Sequence, residues 1–223
     1  MSLETRASLL RARIAQACET AGRDPRSVEL LPVSKHQPAA LVTEALALGF
    51  TRFGENYVQE GSAKAKALPG AAFVLIGPLQ RNKAKPALEA FRELQSVDRL
   101  DLARRLATLA EELDLHRPTW IQVDLWGEAT KVGGCPPSEL ADLVAFLEAQ
   151  PRLPLQGFMA LPPPGDEGAF PTLAELRARW QDRLGRPLRL SAGMSGDLEA
   201  AIRAGSDQVR IGTALFGARP PLT

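Results

Sequence analysis

The sequence predicts an α/β fold, a (β/α)8 TIM barrel with an extra N-terminal helix, and three observations carry that expectation. Short apolar runs alternate with longer amphipathic ones, the short runs number eight, and polar and glycine residues gather just beyond their C-terminal ends. An open doubly wound sheet is the alternative, but no G-x-G-x-x-G follows the first strand run.

The strand runs are 28–34 (VELLPVS), 51–54 (TRFG), 73–77 (FVLIG), 94–97 (LQSV), 119–125 (TWIQVDL), 155–160 (LQGFMA), 188–191 (LRLS) and 207–212 (DQVRIG). Between them, apolar residues at i, i+3, i+4 spacing predict helices over 39–48, 55–67, 80–92, 99–114, 137–149, 170–184 and 196–204, with a further helix over 3–20 in front. Pro38 and Pro137 are placed as first-turn prolines, and Gly49 and Gly205 as helix stops. A chain of 223 residues, 45% hydrophobic, suits one domain over 1–223.

A net charge of +1, without a basic run, gives no reason to expect nucleic acid or an anionic membrane. No signal peptide or spanning stretch is visible, so a soluble cytoplasmic protein is expected. Cys18 and Cys135 are expected as free thiols, and two unclustered histidines argue against a metal site.

In a barrel, functional groups belong just past the C-terminal strand ends. Lys35 sits there after the first strand, as an amine at the polar end of an apolar run. Glu55-Asn56-Tyr57 follow the second strand, Asp98-Arg99 the fourth, and Asp124 ends the fifth. Two segments suit a phosphate: Ser191 to Asp197, where Gly193, Met194, Ser195 and Gly196 lead into a helix, and Arg210-Ile211-Gly212-Thr213 on the eighth strand. Ser195 as a plain helix cap is the bland alternative. An amine and a phosphate cradle together suit pyridoxal 5′-phosphate (PLP), which needs an imine partner and an anchor for its tail. A sugar or nucleotide phosphate held without an imine stays open at this point.

The stretches LLPVSK (30–35), FGENYVQE (53–60), IGPLQRNK (76–83), SVDR (96–99), GFMALP (157–162), LSAGMSGDLEAAIRAG (190–205) and VRIGTALFGAR (209–219) resemble, in order, the pyridoxal phosphate homeostasis protein family (the YggS/PROSC group). That resemblance implies a lone alanine-racemase-type barrel that binds PLP without an established reaction. It implies an imine on Lys35, phosphate contacts from Ser195, Gly212 and Thr213, a ring-nitrogen contact from Arg210, and Asn56 and Met194 lining the pocket. Two departures stand out: Phe73-Val74 occupy the place of the family's Trp-His, and 163–175 shows little likeness.

Arg210 facing a pyridine nitrogen could not hand over a proton, since its pKa lies above ~12. A neutral ring is a poorer electron sink than a pyridinium, which disfavours extensive carbanion chemistry. An amino-acid racemase of the alanine-racemase type is the competing reading, and it needs a second base besides Lys35. That base is a tyrosine from an added β-domain; this chain ends at Thr223, and its one tyrosine is Tyr57. The expectation is therefore a monomeric carrier that passes PLP to PLP-requiring apo-enzymes. His36 is expected to point away from Lys35, and Arg210 could instead pair with Asp207 or Glu199. Lys64, Lys66, Lys83 and Lys85 read as solvated helix faces, with Lys83 as an alternative aldehyde-binding amine.

Overall fold

The structure, a computed structural model, describes residues 1–127, 133–163 and 165–218. Among them are eight parallel strands: β1 (Glu29–Pro32), β2 (Arg52–Glu55), β3 (Ala72–Leu75), β4 (Glu93–Val97), β5 (Thr119–Val123), β6 (Leu155–Ala160), β7 (Arg189–Ser191) and β8 (Gln208–Ile211). They are hydrogen-bonded in the order β1-β8-β7-β6-β5-β4-β3-β2. The circle closes between β1 and β2 through a bridge from Val33 to Gly54, with Ser34 N–H donating to Gly54 O at 3.0 Å. An eight-membered parallel barrel with helical crossovers follows from the alternating pattern, since parallel strands need a connection long enough to hold a helix.

The helices are α1 (Leu3–Thr20), α2 (Ala39–Ala47), α3 (Val58–Ala67), α4 (Ala84–Ala90), α5 (Leu100–Glu112), α6 (Pro137–Glu148), α7 (Ala169–Leu184), α8 (Leu198–Arg203) and α9 (Thr213–Phe216). Helix α1 is the extra N-terminal one. Ser2 caps it by accepting from Thr5 N–H at 3.1 Å, and Leu3, Ala7, Leu10, Ile14 and Ala17 form its buried stripe. Pro137 opens α6 as expected, whereas Pro38 stands one residue before α2, at its N-cap.

Three boundaries differ from the periodicity for physical reasons. Helix α3 starts at Val58 and not at 55, because Glu55 completes β2 and its side chain is fully buried. The run 80–92 divides into a 3-10 turn (Arg81–Lys83) and the short α4, and the chain is extended again at Phe91. Helix α9 has four residues, too few to show a period.

Alternation along each strand separates two interiors. Val209 and Ile211 join the large core between barrel and helices, with Phe53, Phe73, Leu94, Ile121, Phe158 and Leu190. Inside the barrel, Leu31, Val33, Val74 and Ile76 form a separate apolar cluster. The other buried side chains of alternate register include Trp120 and Met159 and several polar ones, among them Gln95, Ser191, Gln208 and Arg210. Trp120 is fully buried, while Trp126 and Trp180 pack at the edge of the core. Cys18 and Cys135 are free and buried; burial pushes the Cys135 thiol up to about 12, which keeps it protonated and inert.

Candidate functional site

At the C-terminal ends of the strands lies a cavity of about 390 Å³, within the range of small-molecule sites. Lys35, Asn56, Met194, Ser195, Arg210, Gly212 and Thr213 all line it, so the structure brings the seven sequence-predicted residues into one wall. Val33, Gln37, Ile76, Leu161 and Gly196 complete the lining. Lys83 is not part of it.

The Lys35 end is built on buried charge. Ser34 Oγ donates to Glu55 Oε1 at 2.7 Å, and Lys64 Nζ donates to Ser34 O at 2.5 Å, Glu55 Oε1 at 2.7 Å and Glu60 Oε1 at 2.8 Å. The His36 N–H donates to Glu60 Oε1 at 2.6 Å. The peptides on both sides of Lys35 are thus tied to the same three-residue ion network. Burial pushes the Glu55 carboxyl above its usual range, against the pull of Lys64 and Ser34. Lys64 therefore corrects the expectation of a solvated helix face: it is only 7% exposed and is a structural partner of the lysine strand. His36 takes φ 60°, and its ring lies 5.1 Å from that of half-exposed Tyr57, away from the cavity wall.

Asn56 reaches the rim because the loops after β2 and β3 touch. A Cβ on Gly77 would fall 2.2 Å from Asn56 O, so only glycine permits that contact.

The opposite end is built on backbone and neutral groups. Gly193 takes φ +98°, and a Cβ there would meet Ala201 Cβ at 2.6 Å. Met194 N–H donates to Asp197 Oδ1 at 2.6 Å, and Arg210 N–H to Gly193 O at 2.9 Å, which shapes the 192–197 loop around the cavity. Among the described residues no acceptor takes the N–H of Ser195 or Gly196. Asp197, not Ser195, precedes α8, and the Ser195 side chain makes no cap bond there. Helix α1 supports both loops: Arg13 Nη1 donates to Ser195 O at 2.9 Å and pairs with Glu199, while Arg6 donates to Leu215 O at 2.5 Å and Phe216 O at 3.2 Å.

Arg210 is 3% exposed. Its Nη1 donates to Ser191 O at 2.6 Å and Ser191 Oγ at 2.8 Å, and its Nη2 to Ala160 O at 2.7 Å. Desolvation lowers its pKa to about 10, so it stays cationic at neutral pH. The alternative ion pairs are spoken for elsewhere: Asp207 meets Arg23 and Arg177, and Glu199 meets Arg13.

Sequence reasoning missed Lys64, Arg13 and Arg6. The Glu60–Lys64 pair at i, i+4 was a readable signal for the first. Arg13 reaches residues more than 180 positions away, and no local pattern announces it.

An eight-stranded α/β barrel with an amine at one strand end, loop N–H groups across the cavity and a buried guanidinium in its lining is a barrel of the alanine-racemase type. The alanine racemase N-terminal-domain family matches residues 7–220. The pyridoxal phosphate homeostasis protein of Pseudomonas aeruginosa is 47% identical over 93% of this chain and 92% of its own, and that of Escherichia coli K12 is 40% identical over 94% of each. The chain belongs to the pyridoxal phosphate homeostasis protein family. Among solved structures, PipY of Synechococcus elongatus PCC7942 with PLP bound is 34% identical, with a TM-score of 0.86 over 97% of this chain and 100% of that one. Alanine racemase of Clostridium difficile 630 shares the fold at 13% identity, TM-score 0.73, over 94% of this chain and 60% of that one.

Proposed function

We propose that the protein binds PLP reversibly, with the Lys35 amine joined to the aldehyde carbon as an imine, and passes the cofactor to PLP-requiring apo-enzymes in the cytoplasm. The observation that carries this reading is the single cavity shared by Lys35, the 194–196 loop, Arg210 and the Gly212–Thr213 turn. The residues present fit the group: an amine for the aldehyde, loop N–H groups and hydroxyls of Ser195 and Thr213 for the phosphate, and Arg210 for the ring.

When bound, the cofactor supplies an electrophilic aldehyde and a ring that can accept electrons. The chain's own residues do the rest. Ser34, Glu55 and Lys64 hold the backbone that presents Lys35, the 192–197 loop offers donors to the anion, and Arg210 presents a cation that keeps its proton. Tyr57, the chain's one tyrosine, lies on His36 outside the cavity wall, which supports a carrier over a racemase. Curated relatives are named for homeostasis. Among the described residues no helix is long and apolar enough to cross a membrane.

The test is spectroscopic, with a transfer step. Purified protein mixed with PLP is expected to gain a visible imine band that Lys35→Ala lacks, and to restore activity to an added apo-enzyme. An identical band in the Lys35→Ala protein contradicts the reading.

A further inference from the structure

Arg210 is a buried cation whose hydrogen-bond partners are all neutral. A buried charge whose partners are neutral depends on those partners being held firmly in place. The barrel interior shows how. Ser191 Oγ accepts from Arg210 and has its own hydrogen within reach of Gln208 Oε1 at 2.9 Å and Gln95 Oε1 at 3.0 Å. Gln95 Nε2 donates to Gln208 Oε1 and to Glu93 Oε1, each at 2.7 Å. Gln208 Nε2 donates to Glu29 Oε2 at 3.0 Å.

Every bond from Arg210 down to the two carboxylates is donated in the same direction, away from the guanidinium. Ser191, Gln95 and Gln208 are fully buried, and Glu93 nearly so. Aligned bonds in a low-dielectric interior polarise one another, so a carboxylate at one end strengthens acceptance at the other. Glu93 and Glu29 share Arg52, which donates to Glu93 Oε2 at 2.7 Å and Glu29 Oε1 at 2.6 Å, while half-exposed Arg189 adds a contact to Glu29 at 3.2 Å. The remaining oxygens, Glu93 Oε1 and Glu29 Oε2, accept the amide hydrogens of Gln95 and Gln208, so the arginine-held carboxylates fix where the chain above them ends.

We propose that Glu93, with Glu29, is the fixed acceptor at which the hydrogen-bond chain from Arg210 ends, coupled to it through Gln95, Gln208 and Ser191, so that the far end of the barrel orients the guanidinium in the ligand cavity. Glu93, Gln95 and Gln208 are then positioning residues, acting only through Arg210. The ligand-side consequence rests on the PLP reading; the coupling itself does not.

The test uses the full chain with 15N-labelled arginine, without ligand. Glu93→Gln and Gln95→Met are each expected to speed hydrogen exchange of the Arg210 Nη groups about tenfold, because the guanidinium loses its fixed acceptor geometry. With PLP added, the same variants are expected to weaken binding several-fold and shift the visible band. Ser191→Thr, which keeps the hydroxyl, is expected to retain slow exchange where Ser191→Ala does not. Unchanged Arg210 exchange in folded Glu93→Gln or Gln95→Met, accompanied only by lower stability, overturns the proposal; should one variant fail to fold, the other decides. Failure of the wild type to bind PLP would sink the functional reading alone, since the exchange measurement needs no ligand.

Discussion

The two ends of the cavity solve the same problem by different means. At the β1–β2 end, Lys35 stands between peptides clamped by Glu55, Glu60 and Lys64, a buried cluster with two carboxylates and one ammonium. At the β7–β8 end, loop amides and hydroxyls surround a guanidinium whose direct partners are neutral, with Asp197 adding only a field effect. The difference teaches what each end is suited to hold. The first fixes the backbone on both sides of an amine and suits a tether; the second offers loop N–H groups beside a buried cation and suits an anion.

Removing the tether is the strongest way to break this comparison. Lys35→Ala is expected to abolish the visible band and to weaken PLP retention by about a hundredfold, roughly 2.8 kcal/mol, read by equilibrium dialysis. A fall below threefold would mean that the tether matters little beside the anion end.

Removing the clamp comes next. Lys64→Met leaves Glu55 buried beside Glu60 without its cation, and a stability loss of about 3–5 kcal/mol in urea unfolding is expected. Glu55→Gln combined with Lys64→Met should recover part of that loss. Additive losses would show that the two side chains do not act as a pair.

The phosphate end sharpens the contrast with a smaller effect. Ser195→Ala is expected to weaken PLP about fivefold to tenfold, about 1 kcal/mol, while leaving pyridoxal, which lacks the phosphate, unaffected. Equal losses for both ligands would place Ser195 away from the phosphate.

The smallest expected effect concerns the brace from α1. Arg13 holds the Glu199 carboxyl below its usual range, chiefly by hydrogen bonding. A lowered folded-state value means that the pair stabilises the fold above the unfolded value of about 4.3 and ceases to do so as pH falls through the folded value. Wild type and Glu199→Gln should thus differ slightly in melting temperature at pH 7 and converge in acid. A gap that widens in acid contradicts the assignment.

Much of the cavity lining is legible in the sequence. Lys35 stands out as the polar end of an apolar run, and the glycines and hydroxyls of 193–196 and 212–213 as strand-end loops, because those signals are local. Strand β6 matched its expected run fully, and the others shifted by a residue or two where turns extend the apolar pattern. Lys64 was misread because a buried lysine on an amphipathic helix looks like a surface one until its partners are placed. Gln95 and Gln208 gave no signal, since two neutral residues 113 positions apart acquire meaning only when the barrel closes. Segment 163–175, which shows little family likeness, runs into α7 from Ala169 onward, one residue before the expected start of that helix at 170, with Pro171 placed in its opening turn. The stretch 128–132 lies outside the described residues, as do Pro164 and 219–223.

The most direct test of the central claim, that the β1–β2 end holds the aldehyde through Lys35, is borohydride reduction of the PLP-loaded protein followed by peptide mapping. The account predicts a single reduced adduct, on the peptide that carries Lys35. An adduct on Lys83 or Lys66 with Lys35 unmodified would contradict it.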